Sequence, residues 1–203
     1  MTILVTGGLG YIGSHTVVEL LNNNFEVVII DDLSNTEKFI LKNIEEISGK
    51  KPIFYPFDLK RKELLKQVFD AHQIEGCIHF AAYKAVGESQ VKPIDYYENN
   101  LFSLINLLQE MKERNISNFI FSSSCTVYGQ ADKMPIDEET PLKLPESSYG
   151  KTKQMGEEIL KDFATAHQKK VTLLRYFNPI GAHPSAKLGE LPIGIPNNLV
   201  PYV

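Results

Sequence analysis

The sequence lacks the features that mark secreted, membrane-bound and organelle-targeted proteins. Only two of its 203 residues are cysteines, and they have no C-x-x-C spacing, which is typical of a reduced cytoplasmic protein. No Lys or Arg precedes Lys38, so the basic start of a secretory signal and an Arg-rich transit peptide are both missing. Apolar runs such as Val27 to Ile30 are strand-sized and too short to cross a bilayer. We therefore expect a cytoplasmic protein with no membrane partner.

Excess positive charge and metal-ligand spacing are also absent. The net charge of -4 gives no excess of Lys and Arg of the kind that binds phosphate backbones, so we expect no nucleic-acid partner. The five histidines show neither H-x-x-x-H nor H-x-x-E-H spacing, and we predict no metal site. Cys125 has no suggested His partner, so its thiol is interpreted as a packing group rather than a nucleophile.

What is present is an alternation of strand-like and helix-like stretches in a chain that is 43% hydrophobic, enough for one substantial core. Each parallel crossover needs a helix, so this alternation predicts an α/β fold: a doubly wound parallel sheet, the Rossmann fold, with strand order 3-2-1-4-5-6. Strands are predicted over 2–6, 25–30, 53–55, 76–80, 118–122 and 171–175, and helices over 11–23, 36–47, 61–71, 94–114 and 148–168.

A glycine-rich turn, which we define as residues 7–13, follows the first predicted strand and opens the first helix. Gly7, Gly10 and Gly13 allow a tight turn, close approach of a pyrophosphate and close packing of helix against strand. Asp31 follows the next strand, 18 residues after Gly13, where a carboxylate can accept hydrogen bonds from ribose hydroxyls. The pattern predicts a dinucleotide site.

Asp31 also predicts which dinucleotide is bound. A carboxylate repels the 2′-phosphate of NADP, and residues 31–37 contain no Arg to accept it, so NAD is the expected cofactor. Asp58 and Leu59, after the third strand, are candidates for contacts with the adenine. Asp58 fits equally well as the cap of the following helix.

A second constellation combines Tyr149 and Lys153, four residues apart on one helix face, with Ser124 just past the predicted fifth strand. A phenol with a pKa of about 10 needs a fall of ~3 units to act as a base near neutral pH. A neighbouring ammonium and a positive nicotinamide ring could supply that fall jointly. The three residues predict a Tyr base, with Ser124 hydrogen-bonded to the same substrate hydroxyl.

These motifs resemble the extended short-chain dehydrogenase/reductase family. The likeness spans the whole chain and is carried by the glycine-rich turn, Ser124, the Tyr149-x-x-x-Lys153 pair and four longer strings, residues 6–15, 79–89, 121–129 and 175–184. The strings are closest to the family members that epimerise UDP-hexoses.

The resemblance implies an isomerase of galactose metabolism that interconverts UDP-glucose and UDP-galactose with tightly held NAD, through a transient 4-keto sugar. Tyr149 would take the proton of the 4-hydroxyl, Ser124 would orient it, and Lys153 would also hold the nicotinamide ribose. It implies further cofactor contacts at Ser124 and Tyr149 themselves and at Tyr11, Ile12, Asp32, Leu33, Ser34, Asn35, Phe80, Ala81, Ala82, Lys84, Asn99 and Phe177. Substrate contacts are implied at Ser124, Tyr149, Asn178 and Asn198.

Three alternatives are weighed against this function. The nucleotide-sugar dehydratases of the family carry an Asp-Glu pair where this chain has Cys125 and Thr126, which disfavours water elimination. A non-catalytic NAD-sensing module would not need the intact Ser124, Tyr149 and Lys153. Epimerases of N-acetylated or uronic UDP-sugars are not separated from the favoured function by this sequence.

The last part of the chain predicts a second domain and an assembly. After Tyr176 the sequence becomes rich in Pro and Gly, so we predict an NAD-binding domain over 1–176 and the beginning of a nucleotide-sugar-binding domain over 177–203, apparently truncated at Val203. The resemblance also implies a homodimer formed through the two long helices, although a shortened chain could be monomeric.

Overall fold

The fold is described by a computed structural model that covers residues 1–191. Within these residues six strands form one sheet in the order β3-β2-β1-β4-β5-β6, as the sequence predicts. The strands are β1 Thr2–Thr6, β2 Glu26–Ile30, β3 Ile53–Tyr55, β4 Ile74–His79, β5 Asn118–Ser124 and β6 Lys170–Tyr176. The helices are α1 Tyr11–Asn22, α2 Phe39–Ser48, α3 Lys62–Ala71, α4 Val86–Val91, α5 Pro93–Glu113 and α6 Ser148–His167, with a 3₁₀ helix over Cys125–Tyr128.

The buried strands explain the sheet. β1 is buried along its whole length and pairs in parallel with β2, from Thr2 opposite Glu26 to Thr6 opposite Ile30, and with β4 on its other side. A strand covered on both faces needs apolar residues at successive positions, which is why Ile3-Leu4-Val5 is continuous rather than alternating.

Several boundaries differ from the predictions. β5 runs on to Ser124 because it pairs with β6 as far as Ser124 opposite Tyr176, so Ser124 is the last residue of the strand rather than just past it. The second helix begins at Phe39 rather than at residue 36, and Phe39 is 50% exposed. The buried face of α2 is set by Ile40 and Ile44, which are four residues apart. The predictions missed α4 and the 3₁₀ helix, both only a turn or two long.

The chain divides into two compact units. The first unit contains Met1–Ala81 and the segment that begins at Asn178, and the second unit contains Ala82–Phe177. The core of the first unit includes Leu4, Val5 and Val28, whereas Leu104 and Leu160 are fully buried in the second. The predicted division into 1–176 and 177–203 stays a prediction. In the part of the chain that the structure describes, no helix is long and apolar enough to cross a membrane.

Candidate active site

The glycine-rich turn of the first unit leaves no room for a Cβ atom at Gly7 or Gly13. Gly7 has φ +66°, and a Cβ there would lie 2.6 Å from the backbone nitrogen of Ala81. A Cβ on Gly13 would lie 2.2 Å from the carbonyl oxygen of Gly7, far inside van der Waals contact. Glycine is therefore required at both positions, by backbone conformation at the first and by packing at both.

The N-terminus of α1 offers backbone donors at the same turn. Gly10 is the residue before the helix and has no side chain with which to cap it. The first-turn N–H groups, which include those of Tyr11, Ile12 and Gly13, have no acceptor within the helix, and the helix dipole adds positive partial charge there. The turn therefore fits a dinucleotide pyrophosphate, because it combines backbone donors with a surface stripped of Cβ atoms.

Asp31 is tied to this turn. Its side chain is 8% exposed, its Oδ2 accepts from the backbone N–H of Leu9 at 3.1 Å, and its Oδ1 accepts from that of Leu33 at 3.0 Å. Burial raises the pKa of Asp31, and the two backbone hydrogen bonds oppose that rise. Each carboxylate oxygen keeps a further lone pair, so the group could still accept from ribose hydroxyls.

The neighbouring predicted cofactor residues form turns. Asp32 Oδ1 accepts from the backbone N–H of Ser34 at 2.9 Å, and Asp32, Ser34 and Asn35 are exposed. Asp58 Oδ1 accepts from the backbone N–H of Lys60 at 2.8 Å just before α3, while Leu59 is buried. The N-cap of α3 is Arg61 and no side chain caps the helix, so the helix-cap alternative for Asp58 is wrong, and its contact with adenine stays a prediction.

The second unit brings Tyr149, Lys153 and Ser124 together. Ser147 caps α6 by accepting from the backbone N–H of Gly150 at 3.1 Å, so the helix begins immediately before Tyr149. The Lys153 Nζ lies 5.7 Å from the centre of the Tyr149 ring and donates to the carbonyl oxygen of Ser122 at 2.7 Å. Ser124 is buried at the end of β5 and shares a side-chain hydrogen bond with Tyr149.

Burial is the largest influence on the pKa values of Lys153 and Tyr149. Lys153 is only 4% exposed, and burial lowers the pKa of its ammonium to about 8. Burial also raises the pKa of Tyr149, against the lowering effect of the hydrogen bond from Ser124. Desolvation is the largest cause of the raised pKa of Tyr149, and the charge of Cys125 adds to it. The predicted fall in the pKa of the phenol depends jointly on Lys153 and on the positive nicotinamide ring of the cofactor, and it stays a prediction.

The same unit contains a buried ion pair between Glu157 and Arg175 that the sequence did not predict. Glu157 is completely buried on α6, four residues after Lys153, and Arg175 on β6 binds it through Nε at 2.9 Å and Nη2 at 2.7 Å. Ser123 donates to the same carboxylate at 2.5 Å, and Arg175 Nη1 donates to the Tyr128 hydroxyl at 3.0 Å. The available signal was a charged residue on the buried face of the helix, i+4 from Lys153.

The sequence analysis also missed Asn100. Its side chain accepts from the backbone N–H of Tyr83 at 2.8 Å and donates to the carbonyl oxygen of Tyr83 at 3.1 Å and to the hydroxyl of Thr152 at 3.0 Å. Asn99, a predicted cofactor residue, donates to Asn100 Oδ1 at 3.0 Å. The loop that carries the exposed, predicted Lys84 and the half-buried Ala82 is thus anchored by a buried amide.

The remaining predicted residues have varied surroundings. Phe80 and Ala81 donate their backbone N–H groups to the carbonyl oxygen of Thr6, at 3.0 and 3.2 Å. The Tyr11 hydroxyl donates to the carbonyl oxygen of Gly181 at 2.6 Å. Phe177, at 56% exposure, and Asn178 are open to solvent. Asn198 lies outside the described residues. No group of three His, Cys, Asp or Glu side chains suited to a metal was found among residues 1–191.

Comparison with protein families identifies the class to which this constellation belongs. The model of the NAD dependent epimerase/dehydratase family matches residues 3–195, and the chain belongs to that family.

Proteins similar to this chain include UDP-glucose 4-epimerases. The chain is 50% identical to that of Erwinia amylovora and 52% identical to that of Bacillus subtilis (strain 168), each match covering 100% of this chain and 60% of the relative. The crystal structure of UDP-glucose 4-epimerase from Bifidobacterium longum in complex with NAD+ and UDP superposes with a TM-score of 0.97 at 48% identity, covering 100% of this chain and 61% of that one. The chain thus spans about three fifths of the length of these relatives.

Proposed function

We propose that this chain supplies the NAD-binding part and the acid–base residues of an isomerase that interconverts UDP-glucose and UDP-galactose at C4 of the sugar. The observation that carries the proposal is the cluster of Tyr149, Lys153 and Ser124 in the second unit. These residues and the glycine-rich turn of the first unit both lie within the range matched by the family model. A sensor of NAD would have no use for a buried lysine beside a tyrosine.

The residues of the first unit fit NAD. The α1 N-terminus and the glycine-rich turn would hold the pyrophosphate, and Asp31 would accept from the adenosine ribose. The carboxylate favours NAD over NADP, because residues 31–37 contain no Arg. NAD, when bound, supplies reversible hydride chemistry at the carbon that bears the 4-hydroxyl. The bound NAD+ and UDP of the Bifidobacterium longum relative support this assignment.

The residues of the second unit would manage the proton. Tyr149 Oη would accept the proton of the sugar 4-hydroxyl, hold it while the C4 centre is planar, and return it to the same oxygen. Ser124 Oγ would stabilise the phenolate by a hydrogen bond. The Lys153 ammonium, with a pKa of about 8, would add positive charge beside the ring and is proposed to hold the nicotinamide ribose.

The other predicted contacts complete this proposal. Phe177, Lys84 and Asn99 are proposed to contact the cofactor, and Asn178 and Asn198 the nucleotide sugar. Residues 1–176 would form the NAD-binding domain and residues 177–203 the beginning of the nucleotide-sugar domain. The UDP-sugar substrate is supported by the substrate named for the relatives, which match this chain over its full length.

We further propose a cytoplasmic homodimer formed through α5 and α6. The two helices bury Leu104 and Leu160 within the unit, yet Phe102, Ile105 and Met155 are exposed on the same helices. Exposed apolar side chains on two adjacent long helices suit a second copy of the same face. The mass of the purified protein by light scattering tests this part of the proposal.

The activity is tested by anaerobic incubation of the NAD-loaded protein with UDP-glucose, with UDP-galactose and NADH absorbance followed together. We expect UDP-galactose to form without net NADH, and Tyr149→Phe to form it about a thousandfold more slowly. NADH without UDP-galactose would mean that this chain oxidises the sugar but does not epimerise it. Neither signal, with NAD still bound, would overturn the catalytic proposal in favour of a sensor.

A further inference from the structure

The hydroxyl of Ser124 is surrounded by defined partners at the start of the 3₁₀ helix. Its Oγ accepts from the backbone N–H of Thr126 at 3.2 Å and from the Thr126 hydroxyl at 3.0 Å. The same oxygen shares the side-chain hydrogen bond with Tyr149. Thr126 thus makes both of the hydrogen bonds in which this oxygen is the acceptor.

The number of hydrogen bonds that a hydroxyl can accept and donate determines the direction of the hydrogen bond between Ser124 and Tyr149. A serine hydroxyl has two acceptor lone pairs and one hydrogen to donate. Thr126 occupies both lone pairs with its N–H and its O–H, which leaves Ser124 its own hydrogen for Tyr149. Ser124 is then a donor toward Tyr149 Oη, the arrangement that favours the phenolate over the neutral phenol.

We propose that Thr126 is a positioning residue of the reaction, which orients the Ser124 hydroxyl so that it donates to Tyr149. The proposal rests on the role of Tyr149 as the base under Proposed function. Without the Thr126 hydroxyl, one lone pair of Ser124 becomes free to accept the phenol proton of Tyr149. That alternative hydrogen bond stabilises the neutral phenol and weakens the base.

The packing of Thr126 supports this role. A Cβ on Gly150, the residue after Tyr149, would lie 3.2 Å from Thr126 Oγ1 and 3.3 Å from Thr126 Cβ. Gly150 therefore leaves the space in which Thr126 sits, against the first turn of α6. Thr126 therefore lies beside the residue that follows Tyr149 in α6.

Other groups also act on this hydrogen bond. Cys125 shares a side-chain hydrogen bond with Ser124, but a thiol is a weak acceptor and competes poorly with a phenolate. The charged and titratable groups that face Tyr149 are Lys153 on α6, Cys125 on the 3₁₀ helix and Tyr96 on α5. None of them contacts the Thr126 hydroxyl in the described hydrogen bonds, so a change at Thr126 acts through Ser124.

The test compares Thr126→Val, which removes the hydroxyl at nearly constant volume, with Thr126→Ser, which keeps it. NMR of protein labelled at tyrosine Cζ reports the phenolate fraction of Tyr149, and the signal missing from Tyr149→Phe assigns it. At one fixed alkaline pH we expect about tenfold less Tyr149 phenolate in Thr126→Val, a rise of about one pKa unit. Thr126→Ser should match the unsubstituted protein.

A second measurement uses the NAD-loaded protein. The acid limb of its pH–rate profile should move up by about one unit in Thr126→Val and stay in place in Thr126→Ser, with KM for UDP-glucose little changed. Thr126→Ala gives the same comparison with a smaller side chain, so the test does not depend on the folding of one variant. Equal Tyr149 titration in Thr126→Val and Thr126→Ser would overturn the proposal.

The two proposals fail in different ways. If Tyr149→Phe turned over UDP-glucose at the unsubstituted rate, the proposed function would fail whatever Thr126 does. If Tyr149→Phe were inactive while Thr126→Val and Thr126→Ala titrated normally, the base would stand and only the role of Thr126 would fall.

Discussion

The glycine-rich turn of the first unit and the Tyr149 cluster of the second unit (Tyr149, Lys153 and Ser124) depend on opposite features of the chain for binding and for reactivity. The turn depends on glycines that have no side chain, since a Cβ on Gly13 would lie 2.2 Å from the carbonyl oxygen of Gly7. The cluster works by side chains whose protonation is balanced against burial, with the pKa of Lys153 lowered to about 8 and that of Tyr149 raised. Binding capacity built from backbone shape responds to added volume, whereas reactivity built from buried titratable groups responds to charge and pH.

The largest expected effect separates reaction from binding. Tyr149→Phe removes the proton acceptor and should lower turnover about a thousandfold, within the range for loss of a general base. NAD affinity should change less than about threefold, because the glycine-rich turn and Asp31 remain. Coupled UDP-galactose assays and calorimetric titration with NAD measure the two quantities. A large loss of NAD affinity in this variant would show that the two regions do not act separately.

The next prediction concerns the buried ion pair of Glu157 and Arg175, which lies in the same unit as the Tyr149 cluster. Arg175→Met leaves the buried Glu157 carboxylate without its ion pair and should lower the free energy of unfolding by about 3 kcal/mol. Glu157→Leu added to Arg175→Met removes the stranded charge and should recover most of that loss. Urea unfolding of the two variants makes the comparison. An Arg175→Met protein as stable as the original would mean that the ion pair contributes nothing.

The third prediction adds one methyl group to the glycine-rich turn of the first unit. Gly13→Ala places a Cβ against the Gly7 carbonyl, and the displacement of the turn should weaken NAD binding about a hundredfold, a cost within the 1–3 kcal/mol of overpacking. Gly87→Ala, where a Cβ meets nothing within 4 Å, is the matched control and should bind normally. Tyr149 should titrate alike in both variants. Unchanged NAD affinity in Gly13→Ala would contradict the steric account of the turn.

The smallest expected effect concerns the free energy of unfolding, which the burial of the Lys153 ammonium lowers. Lys153 has a pKa of about 8 when folded and 10.5 as its ordinary value, so between these pH values the unfolded chain binds the extra proton and stability rises with pH. Below pH 8 both states are protonated and the burial cost is present in full. Lys153→Met avoids that cost and should be about 2 kcal/mol more stable at neutral pH, after losing the hydrogen bond to Ser122.

Chemical unfolding of this variant and the original at several pH values checks the sign. The difference in unfolding free energy should shrink as the pH rises from 8 toward 10.5. A Lys153→Met protein that is less stable at neutral pH and equally so at all pH values would mean that the buried ammonium stabilises the fold.

Local patterns in the sequence predicted much of the fold and some of the candidate site. The strand order was predicted correctly because alternating strands and helices leave few right-handed parallel arrangements. The glycine spacing predicted the turn, and the four-residue spacing of Tyr149 and Lys153 placed them on one face of α6. The short α4 and the end of β5 were missed, since a turn or two of helix and the last pair of a ladder leave little periodicity to read.

By itself the sequence determined the six strands and the five longer helices, their order along the chain and the residue types near the strand ends, because these follow from patterns among residues close in the chain. Only the tertiary structure decided which groups share a proton or a charge: Thr126 with Ser124, Glu157 with Arg175, and Asp31 with the backbone of Leu9. It also decided the sign of the pKa shift of Tyr149. That sign depends on how much water is excluded around the phenol, and solvent exclusion is a property of packing between distant segments rather than of spacing along the chain.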